Sequence, residues 1–448
     1  MNLFQIAMKS IRQRSLPSLL TALSVALGVM LMVAVLVTSG IIERMFKQNS
    51  IGYHLIVGPK GSDMQLVLST IYRVSPPIEN VPYYFYQQLK DEKRVQDAVP
   101  LAFGDVSQEG NFPIVGTINR YFEIPYAPDR TFTVQKGGQR MGGPRDSVIG
   151  SHVAKTNGWK VGSTFTMVHG GAEGHVHDEK FTVVAVLNPT GTANDKSVFV
   201  NLDGFLAIDG HDKSIEETEE LLMEFYEGED DTPMRNRIKA ELAVLRAERA
   251  EEAASGKHVH HHDTPDVMKQ VTAVLLVMRK DLYAMQMSGE MKRGKKAMAV
   301  NPIRPMSKIK DTILGPMRTV FLGLTALIVM VSGVSIFVSI YNSMSDRKRE
   351  IGVMRALGAQ RTSVFGIILA ESVLLCLIGG VLGLVLGHGL VFAVAPYIQD
   401  QTGLLINPFA FEPAELILFP ILLVLASLVG FIPAMTAYRT DVADALAN

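Results

Sequence analysis

Four long runs of apolar residues dominate the pattern of hydrophobic and polar positions along the chain. They fall within residues 15–42, 318–345, 363–399 and 416–438. A helix needs about 20 apolar residues to cross the hydrocarbon core of a bilayer, and each run is long enough. None of the runs has the regular polar face of a surface helix. The pattern therefore predicts four transmembrane helices.

The segment between the first two runs has a different pattern. Residues 43–317 mix charged residues, glycine and proline with short β-branched stretches. Residues 147–167 predict a strand, a short helix, a glycine turn and a second strand, and residues 181–187 and 197–200 predict further strands. We expect a large mixed α/β domain inserted between the first and second membrane helices.

Residues 215–254 form a separate, charged part of this domain. They are acidic at first and then predict a helix with Ile238, Leu242 and Leu245 on one face. We expect a solvated helix, and a helix in contact with a partner protein is the alternative.

Positive charge near the ends of the four runs predicts their orientation, because cytoplasmic loops retain Lys and Arg. The flanks of the first run, the loop after the second and the end of the fourth carry Lys9, Arg12, Arg14, Arg347, Lys348, Arg349, Arg355, Arg361 and Arg439. The loop at 400–415 instead carries acidic residues. The cytoplasmic parts are therefore expected to be an amphipathic helix at 1–14, a loop at 346–362 and a tail at 439–448. The domain at 43–317 and the short loop at 400–415 are expected outside the cytoplasm.

Composition narrows the possible partners. The 448 residues are 48% hydrophobic and 19% charged, with a formal net charge of -1. A nucleic-acid partner is not expected, because neutralising phosphates requires a basic surface. The single cysteine, Cys376, excludes an intrachain disulfide.

The predicted cytoplasmic loop at 346–362 has the signals of a short helix. Ser345 or Asp346 can cap its beginning, and Gly358 can end it. Three apolar residues recur at helical spacing, Ile351, Met354 and Leu357, and they predict a narrow apolar stripe with the basic residues Arg349 and Arg355 beside it. Such a helix inserts into a groove on a soluble partner or lies on anionic lipid, and the residues alone leave both open.

The sequence Glu350-Ile-Gly-Val-Met-Arg-Ala-Leu-Gly-Ala359 resembles the coupling helix of the MacB, FtsX and LolC group of ABC transporter permeases. Residues 10–29 and 430–446 resemble the same family. The resemblance implies a multi-pass protein of the bacterial cytoplasmic (inner) membrane with a MacB-like periplasmic domain. It also implies mechanotransmission, in which a permease dimer passes movement from ATPases to its periplasmic domains. The coupling residues would be Arg349, Glu350, Ile351, Met354, Arg355 and Leu357.

The chain is expected to lack catalytic residues of its own. No Gly-x-x-x-x-Gly-Lys-[Ser/Thr] phosphate loop occurs in it, so the ATPase is expected on a separate chain. Expected partners are this ATPase, a second permease copy as a homodimer or related heterodimer, a periplasmic binding protein and membrane lipid. The cargo would be a lipoprotein, lipid, peptide or metal-linked (zinc) substrate. The alternative is an FtsX-like scaffold that activates an extracytoplasmic cell-wall hydrolase without transport.

Small and ionisable residues mark the third run. Gly379, Gly383 and Gly387 leave one helix face bare, which favours close packing against another span or across a permease dimer. Glu371 and His388 should not face lipid, because an ionisable group at depth costs about 2.5–3.5 kcal/mol on insertion scales.

Histidines cluster in two segments of the predicted α/β domain. They are His169, His175, His177, His258, His260, His261 and His262. Imidazole with nearby carboxylate is a ligand set for Zn²⁺, Cu²⁺ or Ni²⁺, so the two segments are candidate metal loops. A solvated polar linker is the alternative. Neither segment has the His-Glu-x-x-His spacing of a metalloprotease.

Overall fold

A computed structural model describes residues 3–48, 52–127, 129–169, 175–208, 213–228, 231–255, 264–346, 348–402, 407, 411 and 413–439. The chain divides into two compact units. The helical unit comprises Met1–Arg44, Lys310–Ile398 and Ile406–Asn448, and the α/β unit comprises Met45–Ile309 and Gln399–Leu405.

Two helices begin the chain, α1 (Leu3–Gln13) and α2 (Ser15–Gln48). In α1, Ala7 and Ile11 lie one turn apart and are buried in a small apolar cluster with Leu374 and Leu375. This spacing gives α1 one apolar face, and the rest of the helical unit covers that face.

The α/β unit contains eight α-helices within the described residues. They are α3 (Asp63–Val67), α4 (Tyr83–Asp91), α5 (Ser151–Asn157), α6 (Leu202–Leu206), α7 (Ile215–Phe225), α8 (Thr232–Ser255), α9 (Asp281–Arg293) and α10 (Ile303–Ile309).

Its strands are short, and the β-branched segments at 181–187 and 197–200 form strands as predicted. They are β1 (Leu55–Gly58), β2 (Val81–Pro82), β3 (Val95–Leu101), β4 (Asp105–Ser107), β5 (Ile114–Thr117), β6 (Asp146–Ile149), β7 (Thr164–Phe165), β8 (Met167–His169), β9 (His175–Val176), β10 (Phe181–Val186), β11 (Val198–Asn201), β12 (Gln270–Val271), β13 (Ala273–Met278) and β14 (Met298–Val300).

These strands form four sheets. The first has the order β14-β1-β13-β3 and is antiparallel, and the second has the order β5-β11-β6-β10-β7 and is mixed. A third, antiparallel sheet joins β4, β8 and β9, and β12 pairs with β2. The predicted mixed α/β domain is confirmed, and β6, α5 and β7 occupy the segment predicted as strand, helix, turn and strand.

The segment after α6 differs from the expectation of a solvated helix. It forms two helices, α7 and α8, and Ile238, Leu242 and Leu245 are buried between them and the rest of the α/β unit. Tyr84 from α4 and Tyr226 complete the same apolar cluster. The apolar face is therefore covered by the chain itself, because burying it removes several large side chains from water.

Four further helices complete the helical unit: α11 (Gly315–Asp346), α12 (Lys348–Ala356), α13 (Arg361–Thr402) and α14 (Leu418–Arg439). Among the described residues, four helical stretches are long and apolar enough to cross a membrane: Ser15–Gly40, Ile303–Asn342, Arg361–Ile398 and Pro413–Arg439. The prediction of four candidate transmembrane helices is confirmed.

Candidate functional site

The short helix α12 lies between two of the membrane-spanning candidates. Arg349 and Glu350 occupy its first turn. It ends with a paired backbone motif, in which Ala359 N–H donates to Met354 O and Gly358 N–H donates to Arg355 O, each at 3.0 Å. Gly358 has φ 100°, a conformation that disfavours residues with a Cβ. The glycine therefore ends α12 sharply and allows α13 to begin three residues later.

The apolar side chains of α12 have two different environments. Ile351 is 3% exposed and belongs to the apolar cluster of the helical unit, and Met354 packs against that cluster. Leu357, in contrast, is 83% exposed, and Val353 is 45% exposed. The stripe expected to face a partner is thus divided. Ile351 is unavailable as a contact residue because it fixes α12 to its own unit, and Val353, outside the expected set, is available.

The glycines of α13 approach α2 closely. A Cβ on Gly379 would lie 2.7 Å from Val25 Cβ. A Cβ on Gly383 would lie 2.5 Å from Val29 Cβ, and one on Gly387 would lie 2.7 Å from Val33 Cβ. Real side chains do not tolerate such distances, so the two backbones approach closely only because these side chains are absent. The glycine face thus packs inside the protomer.

Ionisable residues in the helical unit have partners from other segments. Ser10 of α1 donates a hydrogen bond to Glu371 Oε1 at 3.1 Å, and both residues are buried. His388 Nε2 lies 3.0 Å from Glu415 Oε2, and the Glu415 side chain is fully buried. Sequence patterns did not reveal Ser10 or Glu415 as partners, because each lies far along the chain from its contact.

Two of the candidate metal-binding histidines come together around a carboxylate. His169 ends β8, and in the sheet register it lies directly opposite Asp105, the first residue of β4. The backbone of His177 continues the sheet, since its N–H donates to Met167 O at 2.9 Å. Side chains at directly opposite positions share a face of the sheet. The register thus brings Asp105 close to two histidines that lie 64 or more positions later in the sequence.

The three side chains form a compact donor group. His169 Nδ1 donates to Asp105 Oδ1 at 2.8 Å, and His177 Nε2 lies 3.7 Å from Asp105 Oδ2. One donor atom from each residue lies within 4.8 Å of those from the other two. The Asp105 and His177 side chains are 0% and 3% exposed, but His169 is 54% exposed. Imidazole and carboxylate donors at such distances suit a divalent transition metal.

Of the remaining candidate histidines, the structure describes only the backbone of His175. His175 lies opposite His169 in the backbone register. His258, His260, His261 and His262 lie outside the described residues. Asp105 is not evident as a partner from the sequence, because it lies 64 positions before His169. Its one local signal in the sequence is an acid that directly follows a glycine, Gly104, after the apolar strand β3.

Asp105 and His169 also line a cleft of about 290 Å³. Its wall includes Asn80, Glu217 and Lys269. Burial alone would lower the pKa of Lys269, but hydrogen bonds to Asp203 and Asp266, at 3.0 and 3.1 Å, raise it above its usual value. The wall of the cleft therefore carries a protonated lysine near the two donor residues.

Comparison with known proteins identifies two family domains. The model of the MacB-like periplasmic core domain matches residues 18–241, which is half of the chain, and that of the FtsX-like permease C-terminal domain matches residues 322–442.

Curated relatives include macrolide export ATP-binding/permease proteins MacB. The protein from Burkholderia pseudomallei (strain K96243) is 33% identical over 135 residues, 30% of this chain and 20% of the relative. That from Escherichia coli (strain K12) is 30% identical over 190 residues, 42% of this chain and 26% of the relative. The chain thus spans about a fifth to a quarter of the length of these relatives.

Two solved structures are also similar. The periplasmic region of MacB from Actinobacillus actinomycetemcomitans has a TM-score of 0.31 and 11% identity, covering 61% of this chain and 97% of that one. The extracellular domain of the ABC-type transporter YknZ from Gram-positive bacteria has a TM-score of 0.27 and 11% identity, covering 56% and 99%. The two family matches, one over half of the chain and one over the last three candidate membrane helices, place the chain in the family of MacB/FtsX-type ABC transporter permeases.

Proposed function

We propose that this permease couples ATP hydrolysis by a partner ATPase to movement of its α/β unit, and that α12 is the element contacted by the ATPase. The main support is the exposure of Leu357, at 83%, on a helix whose other end is fixed by the buried Ile351. Val353, one turn before Leu357, is 45% exposed, so the two residues form a small apolar patch whose burial against a partner would be stabilising. A groove on a soluble partner is the cover we propose.

The construction of α12 suits the transmission of force. Ile351 belongs to the apolar cluster that also contains residues of α2, α11, α13 and α14. Only Ala359 and Gln360 lie between Gly358 and the first residue of α13. A displacement of α12 would therefore move the membrane helices as well, because a packed core resists local deformation.

The orientation, assembly and cargo are part of the same proposal. The Lys and Arg residues beside α1, α12 and α14 support a cytoplasmic location for both termini and for α12, with the α/β unit outside. The permease would act as a dimer in a bacterial inner membrane. Its cargo would be a lipoprotein, lipid, peptide or metal-linked substrate, and an extracytoplasmic binding protein would deliver it.

The coupling proposal can be tested in reconstituted complexes of the permease with its ATPase. We expect Glu350→Ala, Met354→Ala and Leu357→Asp to abolish substrate-stimulated ATP hydrolysis. Thr362→Ala, at an exposed position just beyond the helix, is the matched control and should behave as wild type. Co-purification measures assembly separately from stimulation.

Two results would contradict the proposal. Retention of assembly and of stimulated hydrolysis by all three variants would remove α12 from the coupling path. Co-purification of a cell-wall hydrolase, activated by the complex without any transport by it, would instead support an FtsX-like signalling scaffold.

A further inference from the structure

We propose that Asp105, His169 and His177 form a binding site for a divalent transition-metal ion, with Zn²⁺ as the representative ion, and that one coordination position of the ion opens to the adjacent cleft. This inference goes beyond the coupling function, since the site lies wholly within the α/β unit. The sequence predicted two candidate metal loops, and the proposed site consists instead of three residues of one sheet.

The distances between the donor atoms suit a metal ion. Two ligands bound about 2.0–2.1 Å from a tetrahedral ion lie about 3.3 Å from each other. The separations of 2.8 Å between His169 Nδ1 and Asp105 Oδ1 and 3.7 Å between His177 Nε2 and Asp105 Oδ2 lie on either side of that value. The two imidazole rings are 6.2 Å apart between centroids and inclined by 71°, so they converge on the carboxylate and do not stack. Only small side-chain shifts would be needed to place one ion between the three donors.

The chemistry of the donor set points the same way. A fully buried carboxylate retains its charge only when positive charge or hydrogen-bond donors compensate it. A divalent ion with two neutral imidazoles compensates the Asp105 charge and leaves a net positive site. Nitrogen and oxygen donors of this kind favour Zn²⁺, Cu²⁺ or Ni²⁺ over Mg²⁺ or Ca²⁺, which prefer oxygen ligands alone.

The burial of the three residues differs in a way that suits reversible binding. Asp105 and His177 are buried and lie on the two sides of β8 in one sheet, so their positions are fixed before any ion arrives. His169 is 54% exposed and lines the cleft together with Asp105. Three protein ligands leave a tetrahedral ion with one position for water or another donor. The cleft gives that position access to solvent and room for a donor atom of a bound substrate.

The test measures Zn²⁺ binding to the purified full-length chain in lipid nanodiscs after chelator treatment, with no ATPase present. Calorimetry gives the affinity, elemental analysis gives the stoichiometry, and Co²⁺ as a substitute ion reports tetrahedral coordination by its visible absorption. Removing a group that merely supports a ligand lowers metal affinity about 10–100-fold, so removing a ligand should lower it by at least about 100-fold. We expect this loss for Asp105→Asn, His169→Ala and His177→Ala.

Two further variants separate this site from other histidines. His152→Ala removes a histidine of α5 outside the group and serves as the matched control. The combined replacement of His258, His260, His261 and His262 by alanine tests the other histidine segment. Both proteins should keep one equivalent of Zn²⁺ with wild-type affinity.

The decisive single variant is His169→Ala, because its exposed side chain can be removed without disturbing the buried sheet. If this variant and wild type bind Zn²⁺ equally, or if the bound equivalent is lost only in the His258–His262 variant, the proposed site is wrong. Absence of any stoichiometric ion in the wild-type chain would overturn it as well. Leu357→Asp should leave Zn²⁺ binding unchanged, so failure of the coupling proposal is distinguishable from failure of this one.

Discussion

Replacing Gly383 by alanine tests the closest approach between two membrane helices. A Cβ at this position of α13 would lie 2.5 Å from Val29 Cβ and 2.6 Å from Ala26 O, both on α2. Carbon atoms in packed interiors are separated by about 3.5–4.0 Å. The two helices would therefore have to move apart by about 1 Å, and Gly379 and Gly387 on the same face would lose their contacts with α2.

The expected loss of stability is obtained by comparison with Gly389→Ala on the same helix, where an added Cβ would have no other atom within 4 Å. Both substitutions gain the same helix propensity, about 1 kcal/mol, so this gain cancels between them. The difference that remains is the overpacking term of about 1–3 kcal/mol. For a unit of this size, about 2–4 °C per kcal/mol places the melting temperature of Gly383→Ala about 2–12 °C below that of Gly389→Ala.

The chain supplies its own probe for this measurement. Cys376 is the only cysteine among the 448 residues, is 1% exposed, and lies in the same apolar cluster as Val25 and Val29. A thiol-reactive fluorescent maleimide should label it only when the helical unit opens. Labelling is followed against temperature for both variants in detergent. If Cys376 reacts at the same temperature in the two proteins, the close approach of α2 and α13 is refuted.

Two further predictions concern the α/β unit. Leu242→Ala should lower the free energy of unfolding of the unit by about 2–5 kcal/mol, because the Leu242 side chain is fully buried. Val244 is 59% exposed on the same helix, so Val244→Ala should change that free energy by less than about 0.5 kcal/mol. Chemical denaturation followed by circular dichroism compares the two variants, and equal stabilities would contradict the burial of this face of α8. Burial raises the pKa of Tyr86 to about 12, so its contribution to stability is present below the unfolded pKa of about 10 and is lost as pH rises from there to about 12. Tyr86→Phe should therefore weaken the alkaline loss of stability, and an unchanged pH profile would show that the phenol ionises freely in the folded chain.

The features predictable from the sequence are those determined within one segment. The membrane helices follow from run length alone, and the end of α12 follows from Gly358, because a left-handed position after a helix favours glycine. The environment of Ile351 was not predictable in the same way. Helical spacing places it on an apolar face with Leu357, but only the tertiary structure shows that one is covered and the other exposed.

The candidate metal group shows the same limit. His169 and His177 are conspicuous in the sequence, whereas Asp105 is one of 44 acidic residues and lies 64 positions before His169. The sheet register that pairs β4 with β8 makes Asp105 a partner, and register is set by turns and burial over the whole unit. The two histidines are therefore evident from the sequence, whereas the carboxylate beside them is not.

The ionisable residues of the helical unit bear on how this permease works. In the described membrane-spanning helices, Glu371 accepts a hydrogen bond from Ser10, and His388 Nε2 lies 3.0 Å from Glu415 Oε2. Charged groups in a membrane bundle often line a polar pathway, but these contacts join separate segments and are buried or nearly so. Together with the glycine contact between α2 and α13, they fasten the helices to one another. A bundle fastened in this way is better suited to moving as a body when α12 is displaced than to opening an aqueous path, which favours the proposed transmission of movement to the α/β unit.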